Sequence, residues 1–303
     1  MAQRFLGITV LGDYILSEGT ESVLNNLKRV GATAVATNPT VTAPAEEGSG
    51  SFQPPIDAGS SPRVFDRPLF GKTALWVRGG TSYPPNAEYY KDSPYPPRKA
   101  NDLTEAHGAV IGEFIRSAAQ EGIKVYFQVG AAQPSGLRDE DRPQLPNGEI
   151  PQNRVADIAN LASQAMRAYN RAYVQDLVAA YPDISGFRPD WPEFPCYTLG
   201  ECFQGFGPQT ESWAKERGFD YAAIREAVGQ LDKTLHGELT NSQWESLLAD
   251  SFDLNSIPQS LQDWLRLKRE LSSDLLADWR DILNIANPNL ELSANAFMPN
   301  YTD

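Results

Sequence analysis

The chain has 303 residues, 41% of them hydrophobic, so it can bury a sizeable core as one large α/β domain or two smaller ones. Asp and Glu number 39 against 26 Lys and Arg, which gives a formal net charge of −13. A chain with this surplus of negative charge repels phosphate backbones. We therefore expect no nucleic-acid partner.

No segment approaches the roughly 18 consecutive apolar residues of a membrane span, so we expect no membrane partner. The apolar run at residues 5–12 is short and is predicted to be a first strand. The alternative for this run is a signal peptide, but no small-residue cleavage site follows it. The expected location is cytoplasmic.

Short apolar runs rich in β-branched or aromatic residues alternate along the chain with stretches in which apolar residues recur every three or four positions, as in a helix. This alternation is typical of repeated βα units and a parallel sheet. It predicts strands at residues 5–10, 32–37, 123–129, 184–188 and 290–297. It predicts helices at residues 20–30, 103–120, 155–181, 221–235, 242–248 and 261–286. On the last helix, Lys268 is the polar exception within an apolar stripe.

Two long segments lack a hydrophobic period. Residues 38–72 are rich in Pro, Gly and Ser and are predicted to form a long loop without helices or strands, which we call the excursion. Residues 196–218 are also expected to be irregular. Residues 73–78 predict a short strand, which is either a hairpin arm within the excursion or part of the main sheet. Loops of this length in a compact domain are usually functional or mobile.

Closing a barrel of the (β/α)8 TIM type takes eight strands, and the sequence predicts five. We therefore expect a single domain over residues 1–303 of the α/β class, a (β/α)8 TIM-barrel type that lacks the last strands and is partial or open. A long loop excursion is expected at about residues 39–100. The alternatives are a fragment of a longer protein and a sheet that another chain completes.

The candidate catalytic residues follow the fourth predicted strand, because ligands of parallel α/β proteins bind at the carboxyl ends of strands. Arg188 and Asp190 are two residues apart and share a face, so the arginine favours the ionised carboxylate that a nucleophile requires. Glu193 follows in the loop, beside Trp191, and apolar neighbours there would suit a general acid. Two carboxylates across a scissile bond are the chemistry of glycoside hydrolysis.

Polar residues also follow the other strands, and aromatic residues are frequent in the loops expected at the same end. Flat aromatic rings with polar tips suit the faces and hydroxyls of sugars. The candidate substrate-binding residues are Asp13, Tyr14, Asn38, Trp76, Gln128, Trp191, Tyr197 and Asn295. Tyr83, Tyr89 and Tyr90 belong to the same aromatic group.

Other kinds of site have little support in the sequence. Cys196 and Cys202 lack a matched histidine pair, so we expect free thiols, or alternatively a local disulfide or a contact to ligand. His107 and His236 fall on predicted helices away from strand ends. There is no Gly-rich phosphate loop, serine nucleophile elbow or paired-histidine metal helix, so no metal and no cofactor are expected.

Several phrases resemble hypothetical glycoside-hydrolase-like TIM-barrel families: GFRPDWPEFP at the fourth strand, AYPDIS before it, KVYFQV followed by a loop with LPNG, and the closing NPNLELSAN. The resemblance covers most of residues 5–297. GFRPD is also distantly similar to the strand-four motif of the α-amylase clan, in which the Asp is the nucleophile and the Arg two before it orients it. This resemblance implies that Asp190 is the nucleophile and Arg188 its orienting cation. The clan places its general acid on a later strand, whereas the fifth predicted strand ends at residues 293–296 without a carboxylate.

The sequence favours a glycosidase acting on an oligo- or polysaccharide, with a carbohydrate substrate as its partner and the oligomeric state left open. Its general acid is Glu193 or a residue outside this chain. The alternative is a non-catalytic carbohydrate-binding barrel, which the missing second carboxylate favours. A sugar isomerase or aldolase is a third option, but Lys124 lies at the start of a strand rather than its exit.

Overall fold

A computed structural model describes residues 5–54, 64–152, 154, 156–237, 239–242, 245 and 257–294. The chain divides into two compact units. The first unit comprises Met1–Ala131, Ala168–Asp190 and Asp278–Asn295, and the second unit comprises Ala132–Arg167, Trp191–Ala277 and Ala296–Asp303. The expected single domain over residues 1–303 stays a prediction.

Strands and helices alternate along the chain. The strands are β1 (Gly7–Thr9), β2 (Ala34–Thr37), β3 (Thr40–Pro44), β4 (Ser51–Gln53), β5 (Leu75–Thr81), β6 (Lys124–Gly130), β7 (Gly186–Asp190) and β8 (Glu291–Leu292). The helices are α1 (Gly12–Glu18), α2 (Thr20–Arg29), α3 (Asp102–His107), α4 (Ala109–Gln120), α5 (Gln164–Ala180), α6 (Leu199–Cys202), α7 (Pro208–Glu216), α8 (Tyr221–His236) and α9 (Gln259–Ala286). Of the helices described here, none combines the length and the apolar character that crossing a bilayer requires.

The first unit is built on a five-stranded sheet of order β1-β2-β6-β7-β8, in which every neighbouring pair is parallel. The order follows the chain without reversal, unlike a doubly wound sheet, whose order reverses at a switch point. All five predicted strands are present, so the prediction of a mixed α/β fold with a parallel sheet is confirmed. Within the described residues β1 and β8 each have one neighbour, so these strands form an open sheet and no barrel.

The two faces of this sheet differ because successive strand residues point to opposite sides. On one face Phe127 and Phe187 are fully buried. Phe127 packs edge-on against Tyr181 at a centroid distance of 5.1 Å, and Phe187 packs against Trp279 at 6.3 Å. The opposite face carries Arg188 near its carboxyl end. The large buried phenylalanines therefore lie on one side of the sheet. The polar candidates lie on the other side, together with a small apolar cluster of Ala34, Ala36 and Tyr126.

The excursion contains regular structure that the sequence pattern did not reveal. Strands β3, β4 and β5 form an antiparallel sheet of order β3-β5-β4. The prediction of no elements at residues 38–72 is therefore wrong, because pairing with β5 supplies hydrogen bonds that the short β3 and β4 cannot make alone. The strand predicted at residues 73–78 is the centre of this sheet, which confirms the hairpin alternative. Val41 and Val77 are buried in it.

The helix predicted at residues 155–181 begins later, as α5. Ser163 Oγ accepts a hydrogen bond from the backbone N–H of Met166 at 3.1 Å and so caps the helix. Asn160 Oδ1 accepts from the N–H of Ala162 at 3.0 Å and holds a turn before the cap. Buried apolar residues in these turns extend the apolar pattern without extending the helix.

The remaining predicted helices at residues 20–30, 221–235 and 261–286 are confirmed as α2, α8 and α9. The one predicted at residues 103–120 is divided into α3 and α4 at Gly108, and the segment expected to be irregular at residues 196–218 contains α6 and α7. Most of residues 242–248, and residues 295–297 of the last predicted strand, lie outside the described residues.

Candidate functional site

The polar site of the first unit is formed where β6 and β7 end. In the parallel register Gln128 lies beside Arg188, and Gly130 lies beside Asp190. Since residues two apart on a strand share a face, the side chains of Arg188 and Asp190 both reach the side chain of Gln128. Gln128, which the sequence singled out at the end of another strand, is therefore brought together with the predicted pair Arg188 and Asp190.

Arg188 is held by neutral groups. Its Nη2 donates a hydrogen bond to Thr9 Oγ1 at 2.7 Å and another to Gln128 Oε1. Burial lowers the pKa of the Arg188 guanidinium, and the negative charge of Asp190 opposes that shift. The buried Nε of Arg188 has no hydrogen-bond partner within the part of the chain that the structure describes.

Asp190 is linked to the arginine through an amide. Gln128 Nε2 donates to Asp190 Oδ2 at 2.9 Å, while Gln128 Oε1 accepts from Arg188. The backbone carbonyl of Asp190 accepts from the N–H of Ala131 at 2.7 Å, which continues the pairing of β6 and β7. The result is a chain of hydrogen bonds from Thr9 through Arg188 and Gln128 to one carboxylate oxygen. We name these four residues the Thr9–Asp190 network.

A cavity of about 200 Å³ opens at this end of the sheet. Its lining residues are Thr9, Leu11, Thr37, Asn38, Gln128, Val129, Gly130 and Asp190. Asn38, Gln128 and Asp190 were predicted from the sequence. Thr9 was missed, although it is the last residue of β1 and therefore stood at a strand end that the sequence had located.

Asp13 and Tyr14 lie on α1 and contact the excursion. Asp13 accepts a hydrogen bond from the hydroxyl of Thr42, and burial raises the pKa of its carboxyl, an effect that this hydrogen bond opposes. The hydroxyl of Tyr14 donates to the carbonyl of Arg67 at 2.9 Å, and the Arg67 guanidinium lies 4.9 Å from the centre of its ring. Neither residue lines the cavity, and both fasten α1 to the excursion.

Asn38 has a structural task in addition to lining the cavity. Its Oδ1 accepts from the N–H of Gly12 at 2.8 Å, and its Nδ2 donates to Thr40 Oγ1 at 2.6 Å. A Cβ at Gly12 would lie 2.7 Å from the carbonyl oxygen of Thr40, so only glycine allows this approach. Asn38 thereby fixes the segment between β2 and β3 against α1.

The predicted aromatic group is largely used for packing. Trp76 packs edge-on against Phe52 at 5.7 Å within the antiparallel sheet. Tyr83 and Tyr90 are buried, and their hydroxyls donate to Asp176 Oδ2 at 2.9 and 3.3 Å. Burial raises the pKa of Asp176, and its hydrogen bonds oppose that shift. Two of these tyrosines therefore lie in the core rather than on a sugar-binding surface.

Trp191, Glu193 and Tyr197 belong to the second unit. Trp191 adopts a left-handed backbone conformation with φ of 51°, which is rare for a large side chain and common at functional turns. Its ring lies 6.4 Å from that of Tyr197 in an edge-on contact, and Tyr197 is exposed. Glu193 is half-buried. Its pairing with Asp190 stays a prediction, and Asn295 lies outside the described residues.

The sequence matches no model of a protein family and no curated protein. Among solved structures it is similar to a β-galactosidase from Marinomonas ef1, with 13% identity and a TM-score of 0.49 over 96% of this chain and 37% of that one. A β-galactosidase from Bacillus circulans has 12% identity and a TM-score of 0.48 over 97% of this chain and 36% of that one. A hypothetical protein from Ruminiclostridium thermocellum has 12% identity and a TM-score of 0.43, covering 95% and 96% of the two chains. This chain thus spans little more than a third of the length of the two β-galactosidases.

Proposed function

We propose that this protein is a glycoside hydrolase acting on an oligo- or polysaccharide, with Asp190 as its nucleophile or charge-stabilising carboxylate. We also propose that the parallel sheet belongs to a (β/α)8 barrel that the described strands form in part. The monotonic strand order and the position of the polar residues at the carboxyl ends of strands support this barrel.

The observation that carries the proposal is the Thr9–Asp190 network. The amide of Gln128 binds Asp190 Oδ2, and Arg188 in turn fixes the amide, so the carboxylate has a set orientation. Within the described residues its other oxygen has no hydrogen-bond donor, which leaves it available to an anomeric carbon. A nucleophile requires both orientation and an unoccupied oxygen.

Glu193 is the proposed general acid. It follows the strand exit closely, three residues after Asp190, and is half-buried. A separation of about 5 Å between the two carboxyl groups would predict retention of anomeric configuration, and about 6.5–9.5 Å would predict inversion.

The test is hydrolysis of a panel of nitrophenyl glycosides and oligosaccharides by Asp190→Asn. We expect kcat/KM to fall by at least about a thousandfold, because an amide cannot act as the nucleophile. Asp183→Asn is the matched control, since this exposed carboxylate precedes the same strand, and it should retain activity. Circular dichroism should show both variants folded. Undiminished turnover by Asp190→Asn would refute the assignment.

A second candidate function is carbohydrate binding without cleavage. It is favoured by the lining of the cavity, because Asp190 is the one carboxylate among the lining residues and cleavage requires two. This alternative predicts saturable binding of an oligosaccharide by calorimetry, no released sugar from the unmodified protein, and binding that survives Asp190→Asn. Release of reducing ends by the unmodified protein would exclude it.

A further inference from the structure

The second unit contains two cysteines that a short turn brings together. Cys196 and Cys202 flank a capping box in which Thr198 Oγ1 accepts from the N–H of Glu201 at 3.3 Å and Glu201 Oε2 accepts from the N–H of Thr198 at 3.1 Å. This box starts α6, which ends at Cys202. The chain therefore folds back, and Cys202 Sγ lies 3.4 Å from the carbonyl oxygen of Thr198 and 3.9 Å from that of Cys196.

The two thiols are not joined in a disulfide, are partly exposed and interact directly. The thiol of Cys202 donates to the sulfur of Cys196, and this lowers the pKa of Cys196 to about 6, against the opposing effect of burial. The same hydrogen bond raises the pKa of Cys202. One sulfur is thus suited to attack as a thiolate, while the other keeps its proton.

Lys268 is the polar residue that interrupted the apolar stripe of α9, and it lies beside these thiols. Its Nζ donates to the carbonyl of Cys202 at 3.2 Å and lies 5.1 Å from the ring centre of Trp264. Its positive charge favours the thiolate of Cys196, whereas the negative charge of Glu201 opposes it. Burial lowers the pKa of Lys268, and the cysteines oppose that shift.

We propose that Cys196 and Cys202 are a reversible redox pair that small-molecule disulfides of the glutathione type oxidise to an intramolecular disulfide, with Lys268 as the positioning cation. This assignment is independent of the proposed hydrolysis.

The chemistry is an ordinary exchange of two thiols for one disulfide. The thiolate of Cys196 attacks one sulfur of the oxidant, forms a mixed disulfide and releases one thiolate. Cys202 then gives up its proton and attacks the sulfur of Cys196, which releases the second thiolate. Two electrons and two protons pass from the protein to the two released thiols.

The first test is equilibration of the full chain with mixtures of reduced and oxidised glutathione, followed by acid quenching and peptide mass spectrometry. We expect the peptide that contains both cysteines to lose the mass of two hydrogen atoms, and to regain it on return to reduced glutathione. Free thiols at every ratio, or glutathione stably attached to the unmodified protein, would overturn the proposal.

The second test separates the roles of the two sulfurs. Cys202→Ser should trap glutathione on Cys196, because the resolving thiol is absent, and Cys196→Ser should acquire glutathione on Cys202 at least about tenfold more slowly. Equal rates for the two variants would contradict the assignment of Cys196 as the attacking sulfur.

The third test concerns Lys268. In Lys268→Met the pH midpoint for alkylation of Cys196 by iodoacetamide should move upward, and the alkylation rate at pH 6 should fall to about a third or less. Lys268→Arg should restore both the midpoint and the rate. Lys215→Met removes an exposed lysine that pairs with Glu211 and is the control. An unchanged alkylation profile in a folded Lys268→Met protein would remove the lysine from the proposal.

Discussion

One face of the parallel sheet carries a carboxylate near each end of its strands, and the two carboxylates, Glu291 and Asp190, are held by different kinds of hydrogen-bond donor. At the amino end of β6, Glu291 accepts hydrogen bonds from the ammonium of Lys124 and the hydroxyl of Tyr126. At the carboxyl ends, Asp190 accepts from the neutral amide of Gln128. Lys124, Tyr126 and Gln128 are alternate residues of β6, so they share a face and differ in position along the strand.

This difference separates a structural carboxylate from a candidate catalytic one. Glu291 is neutralised by a direct cation, and its hydrogen bonds to Lys124 and Tyr126 lower its pKa. The carboxylate of Asp190 is oriented but not capped by a cation within the described residues, and a cavity adjoins it. In barrels of parallel strands, residues at the amino ends serve stability and those at the carboxyl ends serve chemistry.

Among the three variants that compare the two ends of the sheet, the largest effect should come from breaking the orientation of Asp190. Gln128→Met removes both hydrogen bonds of the amide at similar side-chain volume. We expect a fall in kcat of about a hundredfold, which corresponds to roughly 2.7 kcal/mol, because the nucleophile loses its fixed geometry. The free energy of unfolding, measured in urea, should change much less. Turnover within twofold of the unmodified protein would show that the network does not orient Asp190.

A smaller effect, on stability, is expected from Gly186→Ala at the opposite end. A Cβ at Gly186 would overlap the backbone of Glu291 on the paired strand β8, and a strand backbone moves less readily than a flexible side chain. We expect destabilisation of about 2 kcal/mol by urea unfolding. Gly112→Ala on α4 is the control, because its Cβ would have only ordinary contacts, at 3.4 Å or more. Equal stability of both variants would refute the close approach of β7 and β8.

The smallest effect is expected from Glu291→Gln, since both partners of the ion pair are about half exposed. We expect a loss of about 0.5–1 kcal/mol near neutral pH. Because folding lowers the pKa of Glu291, its stabilising contribution is present above the unfolded-state pKa and is lost as the pH falls through the folded-state value. Urea unfolding at several pH values should therefore show the variant and the unmodified protein converging in acid. A constant difference would contradict the ion pair as the cause.

The sequence predicted the strands of the parallel sheet closely, because the central ones are short apolar runs with buried residues on both faces. It failed for β3 and β4, whose residues have no such pattern and become strands by pairing with β5. It also overextended α5, because the buried turns before Ser163 carry apolar residues at helical spacing. The local apolar pattern indicates which residues are buried, but buried residues also occur in turns outside helices.

For the candidate site, the sequence by itself determined that polar residues follow the strands, since chain order and period place Gln128, Arg188 and Asp190 at strand ends. Only the tertiary structure decided that Gln128 stands between the arginine and the carboxylate, and that Lys268 lies beside two cysteines. Pairing register and helix packing set such neighbours. They depend on contacts between segments that are distant along the chain, which no local spacing encodes.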